Sequence, residues 1–199
     1  MNNTLSFKSN LLIIISSPSG TGKTSVCKKI LEKDKKIKLS ISHTTRAPRD
    51  NETDGVDYFF ISSDTFNNKI LDQSFLEHAN VFGNYYGTSK KKVEEILTMN
   101  FDVLFDIDWQ GAAQILNSNL AKIVTIFLIP PSKEVVFERL KKRSKATGDD
   151  NESIQKRMLE YENEMIHANE YNYVVTNDDI EECTKEVINI IENERGIIT

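Results

Sequence analysis

The run Ser17-Pro18-Ser19-Gly20-Thr21-Gly22-Lys23-Thr24 sets two glycines, a lysine and a hydroxyl at spacings suited to gripping a polyphosphate. Glycines let backbone N–H groups turn inward onto phosphate oxygens, and a helix that starts there adds the partial positive charge of its N-terminus. The Lys23 ammonium then bridges phosphates, and the Thr24 hydroxyl is a ligand for Mg²⁺. Such loops usually begin with glycine, and this chain has Ser17 at that place. Gly20, Gly22 and Lys23 carry most of the phosphate contact. The same letters in another context would be only a glycine-rich turn, so the flanking elements decide their meaning.

A second group with chemistry is Asp106-Ile107-Asp108, which follows the apolar Val103-Leu104-Phe105. Asp106 stands where a buried strand emerges at the carboxyl edge of a sheet, the edge at which open α/β sheets bind ligands. A carboxylate there can position Mg²⁺ through the waters that this ion gives up reluctantly. Asp108 has two compatible readings, a cap for a helix starting at Trp109 or a substrate contact. His43, His78 and His167 have no metal-ligand spacing and read as structural. Cys27 and Cys183 lack the spacing of a zinc site or redox pair and read as reduced helical cysteines.

The elements that must hold these groups follow from apolar patterning. Residues 11–15, Leu-Leu-Ile-Ile-Ile, form a continuous apolar run that stops at Ser16-Ser17-Pro18, as a strand buried on both faces does. A helix is expected over 23–33, further buried strands over 103–107 and 123–129, and a short one over 173–176. Helical patterns cover 109–116, 133–143, 153–170 and 180–194. Strands alternating with helices imply a parallel sheet covered on both sides. Residues 42–92 interrupt that alternation with Tyr58, Phe59, Phe60, Phe66, Phe75, Phe82, Tyr85 and Tyr86 among short β-like pieces, and read as an inserted α+β subdomain. A polar stretch at 144–152, containing Gly148, reads as a mobile flap between helices.

With 199 residues the chain suits one domain with subdomains, and 39% hydrophobic with 28% charged residues excludes disordered and membrane-embedded classes. The formal net charge of -5 argues against nucleic acid as the partner, since phosphate backbones are held by an excess of Lys and Arg. The apolar run at 11–16 is too short to span a bilayer and has no secretory flanks, which gives a cytoplasmic expectation.

Taken together the residues resemble the guanylate kinases. Ser42-His43-Thr44-Thr45-Arg46-Ala47-Pro48-Arg49 is similar to that family's Ser-x-Thr-Thr-Arg-x-Pro-Arg signature, and Gly55-Val56-Asp57-Tyr58-Phe59-Phe60 follows it. Phe75-Leu76-Glu77, Gly83-Asn84-Tyr85-Tyr86-Gly87-Thr88, Asp106-Ile107-Asp108-Trp109-Gln110-Gly111, Pro130-Pro131-Ser132 and Asn177-Asp178-Asp179 continue the likeness over nearly the whole chain from Leu11. The resemblance implies an α/β P-loop NTPase fold in a single domain, a parallel sheet flanked by helices. The core would be 1–41, 93–143 and 158–199, the GMP-binding subdomain 42–92, and a mobile lid 144–157. It implies Mg²⁺-dependent transfer of the ATP γ-phosphoryl group to GMP or dGMP in purine nucleotide metabolism. ATP and GMP are then the partners, with no nucleic acid or membrane, in a monomer or homodimer.

The resemblance also assigns residues. ATP falls to Ser17, Pro18, Ser19, Gly20, Thr21, Gly22, Lys23, Thr24, Ser25 and Asn177, and the metal to Thr24 and, through water, Asp106. GMP falls to Ser42, Arg46, Arg49, Tyr58, Glu77, Tyr86, Gly87, Thr88, Asp106 and Asp108. The chemistry agrees: Arg46 and Arg49 offer planar donor forks to a phosphate dianion, and Tyr58 and Tyr86 add hydroxyls. Guanine presents donors at N1 and N2 that Glu77 can accept, whereas adenine would meet it with an acceptor. The resemblance implies that Ser42 and Thr88 donate to guanine O6.

A phosphate monoester is already largely ionised at neutral pH, its second pKa being about 6, so no side-chain base is expected. Lys23, Arg46 and, by the resemblance, Arg143 and Arg157 are the expected catalytic cations, with Arg139 either a third flap arginine or a solvated helix residue. The segment 144–151 departs from the family by being longer and lacking an Arg-Gly beginning. Rival readings are a non-catalytic binding module, which tends to lose the lysine or acceptor residues kept here, a P-loop kinase with another acceptor such as a ribose bisphosphate, and a simple ATPase.

Overall fold

The computed structural model describes residues 9–50, 52–147 and 151–196. A five-stranded sheet has the order β2-β7-β1-β8-β9, formed by β1 (Leu11–Ser16), β2 (Ile37–Leu39), β7 (Asp102–Asp106), β8 (Lys122–Ile129) and β9 (Tyr173–Thr176). Ile37 pairs with Asp102 and Ile126 with Tyr173, both in parallel register. Every residue of β1 is buried, which is why its sequence is apolar without a break from Leu11 to Ile15 instead of alternating. A second sheet of four strands, β4-β3-β6-β5, is built from β3 (His43–Thr44), β4 (Phe59–Phe60), β5 (Phe75–Val81) and β6 (Asn84–Ser89).

Seven α-helices among the described residues cover and connect these strands: α1 (Lys23–Lys33), α2 (Ser63–Leu71), α3 (Lys90–Thr98), α4 (Trp109–Ile115), α5 (Lys133–Thr147), α6 (Asn151–Ile166) and α7 (Ile180–Glu194), with a 3₁₀ turn at His167–Glu170. Their ends follow local chemistry. Asp179 caps α7 by accepting from the backbone N–H groups of Glu181 and Glu182, and Ser62 caps α2 through the N–H of Thr65. The buried side of α7 is Cys183, Thr184, Val187 and Ile191, one face at three- and four-residue spacing.

The chain divides into two compact units. The first comprises Met1–Leu12, Lys36–Phe105 and Gln110–Ile123, and the second Ile13–Lys35, Asp106–Trp109 and Val124–Thr199. In the first, Phe66 of α2 is fully buried, stacked on Tyr85 at 5.4 Å and tilted against Phe75 at 4.6 Å. A Cβ on Gly87 would come within 3.0 Å of Phe66 and 3.1 Å of Phe75, so glycine there lets the aromatic cluster close on β6. The β5–β6 hairpin turns on Phe82 and Gly83, both at positive φ, a two-residue turn that matches strand twist. In the second unit, Val136 and Leu140 of α5 meet Ile154 and Tyr161 of α6, with Met158 and Met165 at the margin.

Two expectations are corrected. The polar stretch expected to break the helices at 144–152 is shorter, because α5 continues to Thr147 and α6 begins at Asn151. Lys145 and Ala146 favour helix, which carries α5 on. Edge strand β2 went unforeseen, since Ile37-Lys38-Leu39 is a three-residue piece beside a run of charges. Both cysteines are free thiols buried on helices α1 and α7, as expected.

Candidate active site

In the second unit β1 ends at Ser16 and the chain loops through residues 17–22 before α1 begins at Lys23. Gly20 and Gly22 have φ of 88° and 101°, a backbone that side-chain-bearing residues rarely adopt. A Cβ at Gly20 would also lie 3.0 Å from Leu140, and one at Gly22 2.7 Å from the Asn177 amide. Ser17 is not among the residues with positive φ, so serine fits there without backbone strain.

Lys23 forms an ion pair with Asp106 and donates to the Ile107 carbonyl at 2.9 Å. Burial works against its charge, but Asp106 outweighs that and holds the pKa above the ordinary lysine value. The Thr24 hydroxyl donates to the other Asp106 oxygen at 2.8 Å. Two oxygen donors therefore sit side by side. Among the described residues no group of three or more His, Cys, Asp or Glu could cage a metal. That donor set fits Mg²⁺, a hard ion that keeps waters and arrives with phosphates.

The loop is braced from three directions. The Asn177 side chain, 3% exposed after β9, donates to the Thr21 carbonyl at 2.7 Å. Arg139 of α5 donates to the carbonyls of Thr21 at 2.9 Å and Asn177 at 3.2 Å, so it is a fastening and not a solvated helix residue. From α6, Arg157 reaches the Ser19 hydroxyl at 2.8 Å, and Glu164 accepts the Ser19 backbone N–H at 3.1 Å. Burial pushes the Glu164 carboxyl up to about 7, although the Ser19 N–H and Lys23 pull the other way. Asp108 lies between β7 and α4, and Ser25 donates its N–H to Gly22 at 3.0 Å in the first turn of α1. The side chain of Arg143 and residues 148–150 of the expected lid lie outside the described residues.

The first unit gathers the other expected residues. Glu77 of β5 and Thr88 of β6 are directly opposite in an antiparallel pair, 3% and 0% exposed, so they face the same side of the sheet. The Thr88 hydroxyl is buried with no hydrogen-bond partner among the described residues, an unmet donor that a ligand can satisfy. Ser42, also buried, immediately precedes β3.

Arg46 lies 5.4 Å from the Tyr58 ring and 5.9 Å from that of Phe60, and Tyr58 meets Tyr86 edge-on at 5.9 Å. Glu52 accepts from Arg46 at 2.8 Å and from Arg49 at 3.5 Å. Against the effect of burial, these contacts hold the Arg46 guanidinium above and the Glu52 carboxyl below their usual pKa ranges. His43 is packed on Phe59 at 4.9 Å and Phe75 at 5.6 Å, and burial, then Lys69, lowers its pKa to about 4, so it stays neutral.

The structure thus brings Lys23, Thr24 and Asp106 together in one unit and Arg46, Arg49, Tyr58 and Tyr86 in the other, with Glu77 and Thr88 paired across the sheet. Asp106, expected at both metal and GMP, keeps company with the loop lysine. Sequence reasoning passed over Glu52 and Glu164 and underrated Arg139. Glu52 had a signal in the charge order Arg-x-x-Arg-x-x-Glu; Glu164 had none, being one acidic residue on an acidic helix.

Three comparisons bear on this arrangement. The family model described as guanylate kinase matches residues 9–194. A guanylate kinase of Rickettsia bellii is 48% identical over 185 residues, covering 93% of this chain and 95% of that one. One of Zymomonas mobilis is 46% identical over 186 residues, covering 93% and 84%. A crystal structure of guanylate kinase from Anaplasma phagocytophilum superposes with a TM-score of 0.77 at 34% identity, covering 94% of this chain and 86% of that one.

Proposed function

The chain belongs to the guanylate kinase family, and from that premise we propose that it transfers the γ-phosphoryl group of ATP, with Mg²⁺, to GMP and to dGMP, yielding ADP and the nucleoside diphosphate. The observation that carries the choice of a guanine nucleotide is the Glu77–Thr88 pair, a buried carboxylate beside a buried hydroxyl on one sheet face. A carboxylate accepts from guanine N1 and N2 while the hydroxyl donates to O6. Adenine reverses the polarity at both places and leaves buried groups unmatched.

On this reading residues 17–25 wrap the ATP phosphates with backbone N–H groups, Lys23 leaves Asp106 for the phosphates, and Asn177 borders the adenosine. Thr24 and, through water, Asp106 would hold Mg²⁺. When bound, that ion would neutralise charge on the phosphates. Arg46 and Arg49, with Tyr58 and Tyr86, hold the GMP phosphate, Ser42, Glu77 and Thr88 its base, and Asp108 its base or ribose. The GMP oxygen attacks in line; it needs no proton removed, so these residues orient it and offset charge repulsion. Arg143 and Arg157 supply further positive charge as the lid segment 144–157 closes and excludes water. We place this activity in the cytoplasm and in purine nucleotide metabolism; among the described residues no helix is long and apolar enough to cross a membrane.

An ADP-release assay across GMP, AMP, UMP and a ribose bisphosphate tests the proposal. Turnover is expected with GMP and to be at least about tenfold weaker with each of the others. Release that ignores the acceptor, or prefers the ribose bisphosphate, would overturn it.

A further inference from the structure

Arg46 and Arg49 lie in the loop between β3 and β4, and both turn onto one carboxylate. Glu52 Oε1 accepts from Arg46 Nη2 at 2.8 Å and from Arg49 Nη1 at 3.5 Å, while its Oε2 accepts the Arg49 backbone N–H at 2.9 Å. The Glu52 N–H donates in return to the Arg49 carbonyl at 3.0 Å, which closes the turn from the other side. The three side chains are 15%, 26% and 11% exposed, so the cluster is shielded enough for its charges to count. Arg46 is further fixed by a hydrogen bond from Nη1 to the Ala47 carbonyl at 2.7 Å.

Two guanidinium groups a few residues apart repel each other, and free in solvent each would sample many rotamers. A shared carboxylate removes both problems: it cancels one of the two charges and uses only some of the five N–H donors on each fork. We infer that Glu52 is a positioning residue for the acceptor phosphate, holding Arg46 and Arg49 in one orientation so that their remaining donors converge on the GMP phosphate. This rests on the reading given under the proposed function and adds to it a residue outside the assigned nucleotide contacts. Glu52 touches neither the base residues Glu77 and Thr88 nor the ATP loop in the contacts described, so its effect belongs to the phosphate alone.

The test compares wild type with Glu52→Ala and Glu52→Gln in the full chain, reading the KM for GMP, the KM for ATP and the inhibition constant of guanosine, which has the base but no phosphate. Removing the acceptor for both arginines is expected to raise the KM for GMP about tenfold in Glu52→Ala and less in Glu52→Gln, whose amide oxygen still accepts. The KM for ATP and the guanosine constant should stay within about twofold, a split that general loosening of the fold would not produce. If Glu52→Ala does not fold, Glu52→Gln carries the test alone. An unchanged or lower KM for GMP would show that Glu52 merely offsets charge, and parallel weakening of GMP and guanosine would show a merely structural role; either result overturns the inference alone. Wild type that neither turns over nor binds GMP would remove the underlying reading as well.

Discussion

In the second unit the groups proposed to meet phosphate are mostly backbone N–H donors, exposed because Gly20 and Gly22 have positive φ, and helped by one lysine. In the first unit they are side chains, the forks of Arg46 and Arg49 and the hydroxyls of Tyr58 and Tyr86, set on a short-stranded sheet and its loops. A backbone cradle depends on a path of chain that few residues can follow, and its neighbours make it stricter, since Cβ atoms at either glycine would meet α5 or Asn177. A side-chain cluster has several partial donors. Its losses should therefore be graded, where those of the loop should be nearly all or none.

The most severe way to sharpen this contrast is Lys23→Ala. Lys23 is the loop's only side-chain cation, and its removal should lower kcat by about a hundred- to a thousandfold or more while the chain stays folded. Folding is expected to survive because Asp106 keeps the Thr24 hydroxyl as a partner and lies in a partly open position. Steady-state rates together with a thermal melt decide it. Retained turnover would make the loop as tolerant as the arginine cluster and erase the difference between the two regions.

Glu77→Ala comes next and probes the graded side. It should raise the KM for GMP by about ten- to a hundredfold and narrow the preference over AMP, leaving kcat with saturating GMP less affected. Paired kinetics with GMP and AMP measure it. Unchanged selectivity would remove Glu77 from base recognition and leave the arginines as the whole of the acceptor site.

The same contrast explains how much the amino-acid order alone reveals. The loop's parts are contiguous and its flanking strand is buried on both faces, so residues 11–24 announced themselves by order and hydropathy. The acceptor parts are scattered from Ser42 to Thr88, and only their likeness to a known family grouped them; the opposition of Glu77 and Thr88 depends on a hairpin register set by Phe82 and Gly83. Nothing local marked Arg139, because its partners are the carbonyls of Thr21, Asn177 and Asp178, distant in sequence and of no particular residue type. Strand β2 was hidden for another reason: with three residues, only Ile37 of them buried, it lacks a run long enough to show a period.

The smallest expected effect is one of pH, and the two units should respond with opposite sign. Glu164 in the second unit titrates near 7 when folded and near the ordinary carboxyl value of 4.5 when unfolded. Between those values the fold keeps a proton that the unfolded chain has lost, so stability falls as pH rises from about 4.5 to about 7. His43 in the first unit titrates near 4 when folded against 6.5 unfolded. There the unfolded chain holds the extra proton, and stability is complete above about 6.5 and lost as pH falls toward 4. The groups facing Glu164 include Lys23, which lowers its pKa, and Asp108 and Glu160, which raise it; Lys69 and Asp54 act on His43. Each contribution should reach about 1 kcal/mol after relaxation and partial exposure are counted, and in wild type the two largely cancel. Urea midpoints from pH 4.5 to 7.5 separate them: Glu164→Gln, whose oxygen still accepts the Ser19 N–H, should leave a curve that climbs with pH, and His43→Phe one that descends. Parallel curves for all three proteins would mean that neither buried group changes its proton affinity on folding, and the contrast between the regions would then stand on their phosphate contacts alone.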